Sequence, residues 1–216
     1  MHDFLGFRHS DPGCGGATMT SALLLSGGMD STAIAFWKRP AIGVTIDYGQ
    51  VAAPAELRAA AAVCADLAIR HIPINVDLSP FGSGDMAGRP AIELAPVREW
   101  WPFRNQALIT IAAMATIGLG VDHLMIGTLR TDGHHSDGTK GFVDRLADLL
   151  FQQEGKIRLE APAIGMDAVE LAQVARVPIE ILAWSHSCHR SDYACGDCGG
   201  CRKHYRTMEA LGVAPY

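Results

Sequence analysis

The sequence predicts an α/β chain: a parallel sheet with helices on both faces, followed by a separate cysteine-bearing segment. Three observations predict it. Short apolar runs alternate with stretches of helical periodicity, the pattern of strands joined by crossover helices. Hydrophobic residues make up 49% of the 216 residues and charged residues 19%, enough apolar matter for such a core. Four of the six cysteines crowd between Cys188 and Cys201, a local cluster and not a disulfide framework spread along the chain.

The elements follow in order. Ala22 to Leu25 reads as a buried strand that opens into Ser26-Gly27-Gly28-Met29-Asp30-Ser31 and a helix running through Trp37. Ile42 to Ile46 is a second strand, ending at Asp47-Tyr48-Gly49-Gln50. Pro54 suits the first turn of a helix, and the alanine-rich stretch after it continues to Leu67. A third strand covers His71 to Val76. From Ser79 to Pro102 the periodicity dissolves among Gly, Pro and Ser, which predicts a long loop, of a length that in compact domains is either functional or disordered. A helix over Arg104 to Leu119 and a strand over His123 to Ile126 come next, then a polar loop from Gly127 to Lys140. Phe142 to Gln153 is a helix with Phe142, Leu146, Leu149 and Leu150 on its apolar face. Ala168 to Val174 is a short helix, Ile179 to Trp184 a strand or extended run, and His204 to Leu211 the last helix.

These elements divide into an extension over residues 1–20, an α/β unit over 21–183 and a cysteine segment over 184–216. The net charge of −5 speaks against a surface built to hold long nucleic acid. The first twenty residues lack the basic flank and apolar run of a signal peptide. Ala107 to Val121, the longest apolar stretch, is shorter than the roughly 20 residues that span a bilayer and reads as a buried helix. A cytoplasmic protein without a membrane partner is expected.

Two clusters carry chemistry. After the first strand, a Gly pair lets backbone approach a ligand, and the next helix presents unpaired N–H groups to an anion. Ser26, Ser31 and Thr32 add hydroxyl donors. The loop is neither a GxxxxGK[ST] loop nor a GxGxxG fingerprint, and as an ordinary turn it would need only Asp30 as N-cap. In the second cluster, Cys188-x6-Cys195-x2-Cys198-x2-Cys201 offers four soft ligands. Tetrahedral thiolate coordination suits zinc, although Cx2Cx2C runs also hold iron–sulfur clusters.

Ser26 to Ser31 resembles the SGGxDS PP-loop of ATP pyrophosphatases, in which ATP phosphates are bound while a substrate oxygen attacks the α-phosphate. With the cysteine cluster, the chain resembles the 7-cyano-7-deazaguanine synthase family of queuosine biosynthesis. Asp47-Tyr48-Gly49-Gln50 is similar to that family's DYGQ, and Pro102-Phe103-Arg104-Asn105 to its PxRN helix start. Gly127, Asp132, Asp137 and Phe142 resemble its G…D…D…F loop, and Trp184-Ser185 with Cys188 its WSC segment. The resemblance covers about Ala22 to Leu211.

It implies a Rossmann-like fold of the adenine nucleotide alpha hydrolase kind with a C-terminal zinc-binding segment. It further implies that ATP and Mg²⁺ are used to convert 7-carboxy-7-deazaguanine and ammonia to the nitrile through an acyl-adenylate, in a homodimer. ATP would lie over Leu25 to Thr32, Met29 included, with Asp47, Tyr48, Gln50 and Gly127. Ser26, Asp30 and Arg104 would be catalytic. Arg104 and Asn105, with Asp132 or Asp137 accepting from a guanine-like edge, would bind the substrate. Cys188, Cys195, Cys198 and Cys201 would hold zinc.

The departures point to a divergent branch. Val51-Ala52 replace the family's Arg-His after DYGQ, and the lysine of its K-A-E pattern is missing around Ala168. The branch resembles synthase-like proteins of antiphage operons, for which the expected product is an amide joined to a protein or other amine. Two further readings stay open: a tRNA-thiolating PP-loop enzyme, which Cys14 and Cys64 keep alive, and a non-catalytic nucleotide-binding module.

Overall fold

The computed structural model describes residues 20–214; Cys14 and nearly all of the expected 1–20 extension lie outside the described residues. Five strands form one parallel sheet: β1 (Thr20–Leu24), β2 (Ile42–Asp47), β3 (Arg70–Asn75), β4 (Val121–Met125) and β5 (Arg158–Glu160), in the order β3-β2-β1-β4-β5. The sheet carries α1 (Met29–Lys38), α2 (Ala53–Leu67), α3 (Arg104–Ile117), α4 (Lys140–Gln152) and α5 (Ala168–Ala175), followed by α6 (Ile179–Leu182) and α7 (Gly199–Ala210).

Alternation along the central strands builds a core on each face. In β1, Leu23 packs with Ile34, Val63 and Leu171 under α1, α2 and α5. Its neighbour Ala22 packs with Val44, Ile109, Leu124 and Leu146 under α3 and α4. Both faces are thus covered, as all-parallel sheets require. The chain order reverses between β1 and β4, and in sheets of this kind ligands collect outside the carboxyl ends of the strands at such a reversal.

Several expectations are corrected. Ile179 to Trp184 is not extended: Pro178 caps a short helix there, because a β-branched apolar run can bury one helical turn as readily as a strand. The strand β5 was not expected; it spans three residues and buries only Leu159, too little to show a period. On α4 the inward face is Val143, Leu146 and Leu150, while Leu149 is 51% exposed. The apolar stretch after Ala107 is only half buried, with Met114 and Ile117 on the outer face of α3. The last helix begins at Gly199, inside the cysteine run and before His204. Between Ser79 and Pro102 the chain makes two single 3-10 turns and buries Ser83, Met86 and Trp101, so this long loop is tied to the body. Among the described residues, no helix is long and apolar enough to cross a membrane.

Candidate active site

A cavity of about 710 Å³ opens at the carboxyl ends of β1 and β4, within the range of small-molecule sites. One wall is the turn from β1 into α1. Gly28 is the N-cap of α1, so Asp30 lies in the first helical turn and is not the cap itself. Ser26 Oγ accepts from the Gly28 N–H at 3.3 Å and lies 3.1 Å from Ser31 Oγ, which donates to the Gly28 carbonyl at 3.0 Å. Gly27 is in the left-handed region (φ 75°), and a Cβ there would meet the Glu56 carbonyl at 2.5 Å. A glycine at this place therefore lets α2 close on the loop.

Most of the sequence-derived candidates reach the cavity: Leu25, Ser26, Gly28, Met29, Asp30, Ser31, Tyr48, Arg104, Asn105, Gly127 and Asp132 line it. Gly27, pressed against α2, sits outside the lining, and so do Thr32, Asp47, Gln50 and Asp137, each for a visible reason. Thr32 is buried in α1. Asp47 accepts from the Gly49 N–H and from Asn75, finishing β2 and its edge neighbour. Gln50 bridges backwards, accepting from the Tyr48 N–H and donating to Glu56 at 2.8 Å. Asp137 holds Asn105: its Oδ2 accepts the Asn105 N–H and its carbonyl accepts from the Asn105 side chain, both at 3.2 Å. It thereby fixes the start of α3, where Arg104 projects.

The cavity also contains charges that sequence reasoning missed. Lys203 Nζ donates to Asp30 Oδ2 at 2.7 Å and to Asp132 Oδ1 at 3.4 Å. Burial pushes the Asp30 carboxyl up, and the Lys203 ammonium opposes that shift. Burial works to lower the Lys203 pKa, but Asp30 and Asp132 outweigh it and hold the ammonium charged. Glu56 is the second addition. Burial pushes its carboxyl up to about 7, against the Gln50 hydrogen bond and the charge of Arg104. A basic residue two places after a metal-type cysteine, in an acidic chain, was the available signal for Lys203. Glu56 had only its position on α2.

Glu56 gives the cavity a pH dependence. Below about 7 its carboxyl is neutral; above that, a negative charge is added beside any bound anion. Titrating pyrophosphate into wild type and Glu56→Gln between pH 6 and 8 should show the wild type losing affinity relative to the variant, by roughly three- to tenfold. Parallel curves would refute the assignment.

The other wall comes from the C-terminal segment. Its entry is pinned to the loop, for the His186 N–H donates to the Gly27 carbonyl at 2.8 Å. Sγ atoms of Cys188, Cys195, Cys198 and Cys201 all lie within 4.8 Å of one another, with Cys195–Cys201 and Cys188–Cys198 at 4.0 Å. Tetrahedral bonds of about 2.3 Å to one ion place sulfurs about 3.8 Å apart, so the set fits a zinc-sized centre and is too wide for disulfides. Cys198 is also the N-cap of α7, its Sγ accepting from the Cys201 N–H at 3.4 Å and from the His189 N–H at 3.3 Å. Arg190 ties the segment to the long loop through Asp85 at 2.6 Å.

Comparison with known proteins bears on the family and the fold. The family model for queuosine biosynthesis protein QueC matches residues 20–212. The 7-cyano-7-deazaguanine synthase of Desulforudis audaxviator is 32% identical, with 90% of this chain and 98% of that protein covered. The synthase of the same name from Methanocaldococcus jannaschii is 25% identical, covering 90% and 97%. Among solved structures, the U34-tRNA thiolase NcsA from Methanococcus maripaludis, with its [4Fe-4S] cluster, superposes with a TM-score of 0.52. It is 18% identical and covers 89% of this chain and 67% of that one, a likeness of fold.

Proposed function

The chain belongs to the queuosine biosynthesis protein QueC family, and from that membership we propose that it uses ATP to turn 7-carboxy-7-deazaguanine and ammonia into 7-cyano-7-deazaguanine. The observation that carries the reading is one cavity in which the Ser26–Ser31 turn, Arg104–Asn105 and Asp132 meet at the β1/β4 reversal. A carboxylate is a poor electrophile. Its oxygen attacks the α-phosphorus of ATP, pyrophosphate leaves, and the acyl-adenylate carries a good leaving group. Ammonia then adds to the acyl carbon, AMP departs with one carboxyl oxygen, a proton is lost, and a primary amide remains. A second activation on the amide oxygen, with departure of AMP and of the nitrogen's protons, gives the nitrile.

The residues suit these steps. The N–H groups at the start of α1 and the Ser26 and Ser31 hydroxyls face phosphate, as helix N-termini do. The Asp30 carboxylate has a buried Oδ1 with no hydrogen-bond partner, an oxygen that would hold a Mg²⁺ ion, which would offset phosphate charge. Arg104, on the cavity wall at the head of α3, would turn from Met86 to grip the substrate carboxylate, and Asp137 acts through Asn105 by holding the head of α3. Zinc on the four cysteines would be a structural clamp, because four thiolates leave no open position for water. It would tie the head of α7 to the loop that carries Cys188 and Cys195, and would take no step in the reaction.

Thiolation is less well supported. Cys64, the cysteine outside the cluster among the described residues, is buried against Gly43, and burial pushes its thiol up to about 11. Mass spectrometry of products from ATP, the acid and ammonium tests the proposal. The nitrile, with two AMP formed per turnover, is the expected result. An amide or protein-linked adduct alone would replace it with a single-activation enzyme, and untouched ATP would overturn both.

A further inference from the structure

We infer that Lys203 is a phosphate-binding residue of the nucleotide site, delivered by the cysteine segment and held at the cavity floor by Asp30 and Asp132. The inference rests on the ATP-using reading above. It starts from a charge problem. Asp30 and Asp132 line the same cavity as the Ser26–Ser31 turn, and two carboxylates beside a triphosphate repel it. Lys203 meets both, at 2.7 and 3.4 Å, and so cancels one of their two charges. Its side chain is nevertheless 37% exposed, more open to the cavity than Asp30 at 20% or Asp132 at 30%. Three N–H donors let an ammonium keep its carboxylates and still donate to a phosphate oxygen.

The position of Lys203 follows from the cysteines. The helix α7 begins at Gly199 behind the Cys198 cap, and Lys203 stands in its second turn, after Cys201. Fixing Cys198 and Cys201 to one centre fixes the rotation of α7 about its axis, and so the side from which Lys203 enters. Four cationic side chains line the cavity: Arg104, Arg202, Lys203 and Arg206. Arg202 is turned to Asp197, and Arg104 to Met86 and Asn105. Lys203 is the one bonded to an acidic residue of the turn itself. Ala168, at the start of α5 on the same cavity, brings no charge.

The test is titration calorimetry on the metal-loaded full chain, with inorganic pyrophosphate, ATP and adenosine as probes. Lys203→Met should weaken pyrophosphate and ATP by about 10- to 100-fold, the range for a charged hydrogen bond. Adenosine affinity should change by less than about twofold, and Lys203→Arg should recover most of the loss. Metal per chain, read by elemental analysis, should be unchanged. The double variant Lys203→Met/Asp132→Asn restores the net charge of the cluster without a cation, and it should still bind pyrophosphate weakly. Full recovery there would show a mere neutraliser, and an equal loss of adenosine and pyrophosphate would show a structural role; either overturns the inference. Wild type that binds neither ATP nor pyrophosphate would instead defeat the underlying reading, and the inference with it.

Discussion

Asp30→Ala is expected to cut AMP formation about 10²- to 10³-fold, the cost of losing one preorganised electrostatic contact to the reacting phosphates. Asp30 is placed for a large effect. It stands in the first turn of α1, its Oδ2 takes the Lys203 ammonium at 2.7 Å, and its buried Oδ1 has no partner of its own. Its removal therefore strips the phosphate wall of a metal-seeking oxygen and loosens Lys203 together. The fold should survive, because the N-cap is Gly28 and the core beneath is Ile34, Val63 and Leu171. Release of AMP and pyrophosphate at the wild-type rate, in a variant with unchanged melting and metal content, would remove Asp30 from the mechanism.

Cys198→Ser should empty the metal centre and lower the melting temperature by roughly 10 °C, equivalent to about 3–5 kcal/mol for a structural metal in a chain of this size. Serine is an effective N-cap, so the helix-capping role of Cys198 is largely kept and the loss reports the missing thiolate. Elemental analysis checks the first part and calorimetric melting the second. Zinc retained at one per chain with an unchanged melt would show that three cysteines suffice; iron with sulfide in the wild type would replace zinc altogether. Because α7 also carries Lys203, the same variant should bind pyrophosphate more weakly than wild type.

How far the sequence could be read depended on the length of each signal. Strand β2 buries five of its six residues and β1 buries Ala22 and Leu23 at its centre, and the Gly pair after Ser26 marks the first turn unmistakably. By contrast, β5 buries Leu159 alone. The four residues of α6 follow Pro178 with a β-branched pattern that favours strand on propensity. The site divided in the same way. Residues inside a local motif, such as Ser26, Asp30 and the four cysteines, were legible because their spacing is itself the signal. Lys203 and Glu56 were not, since their relation to Asp30 and Arg104 exists only after long-range packing. The sequence offers Asp137 as a substrate-binding candidate, but only the fold shows that its carboxylate reaches Asn105 from outside the cavity lining.

The Lys203–Asp30 contact joins residues 173 positions apart, and this separation governs when the protein becomes competent during synthesis. Contacts between residues far apart in sequence form only after the chain between them has been made and its loop closed. The Asp30 side of the cavity stays without this cation until α7 has been made and packed against it. A polypeptide released before residue 203 therefore lacks the ammonium that meets Asp30 and Asp132.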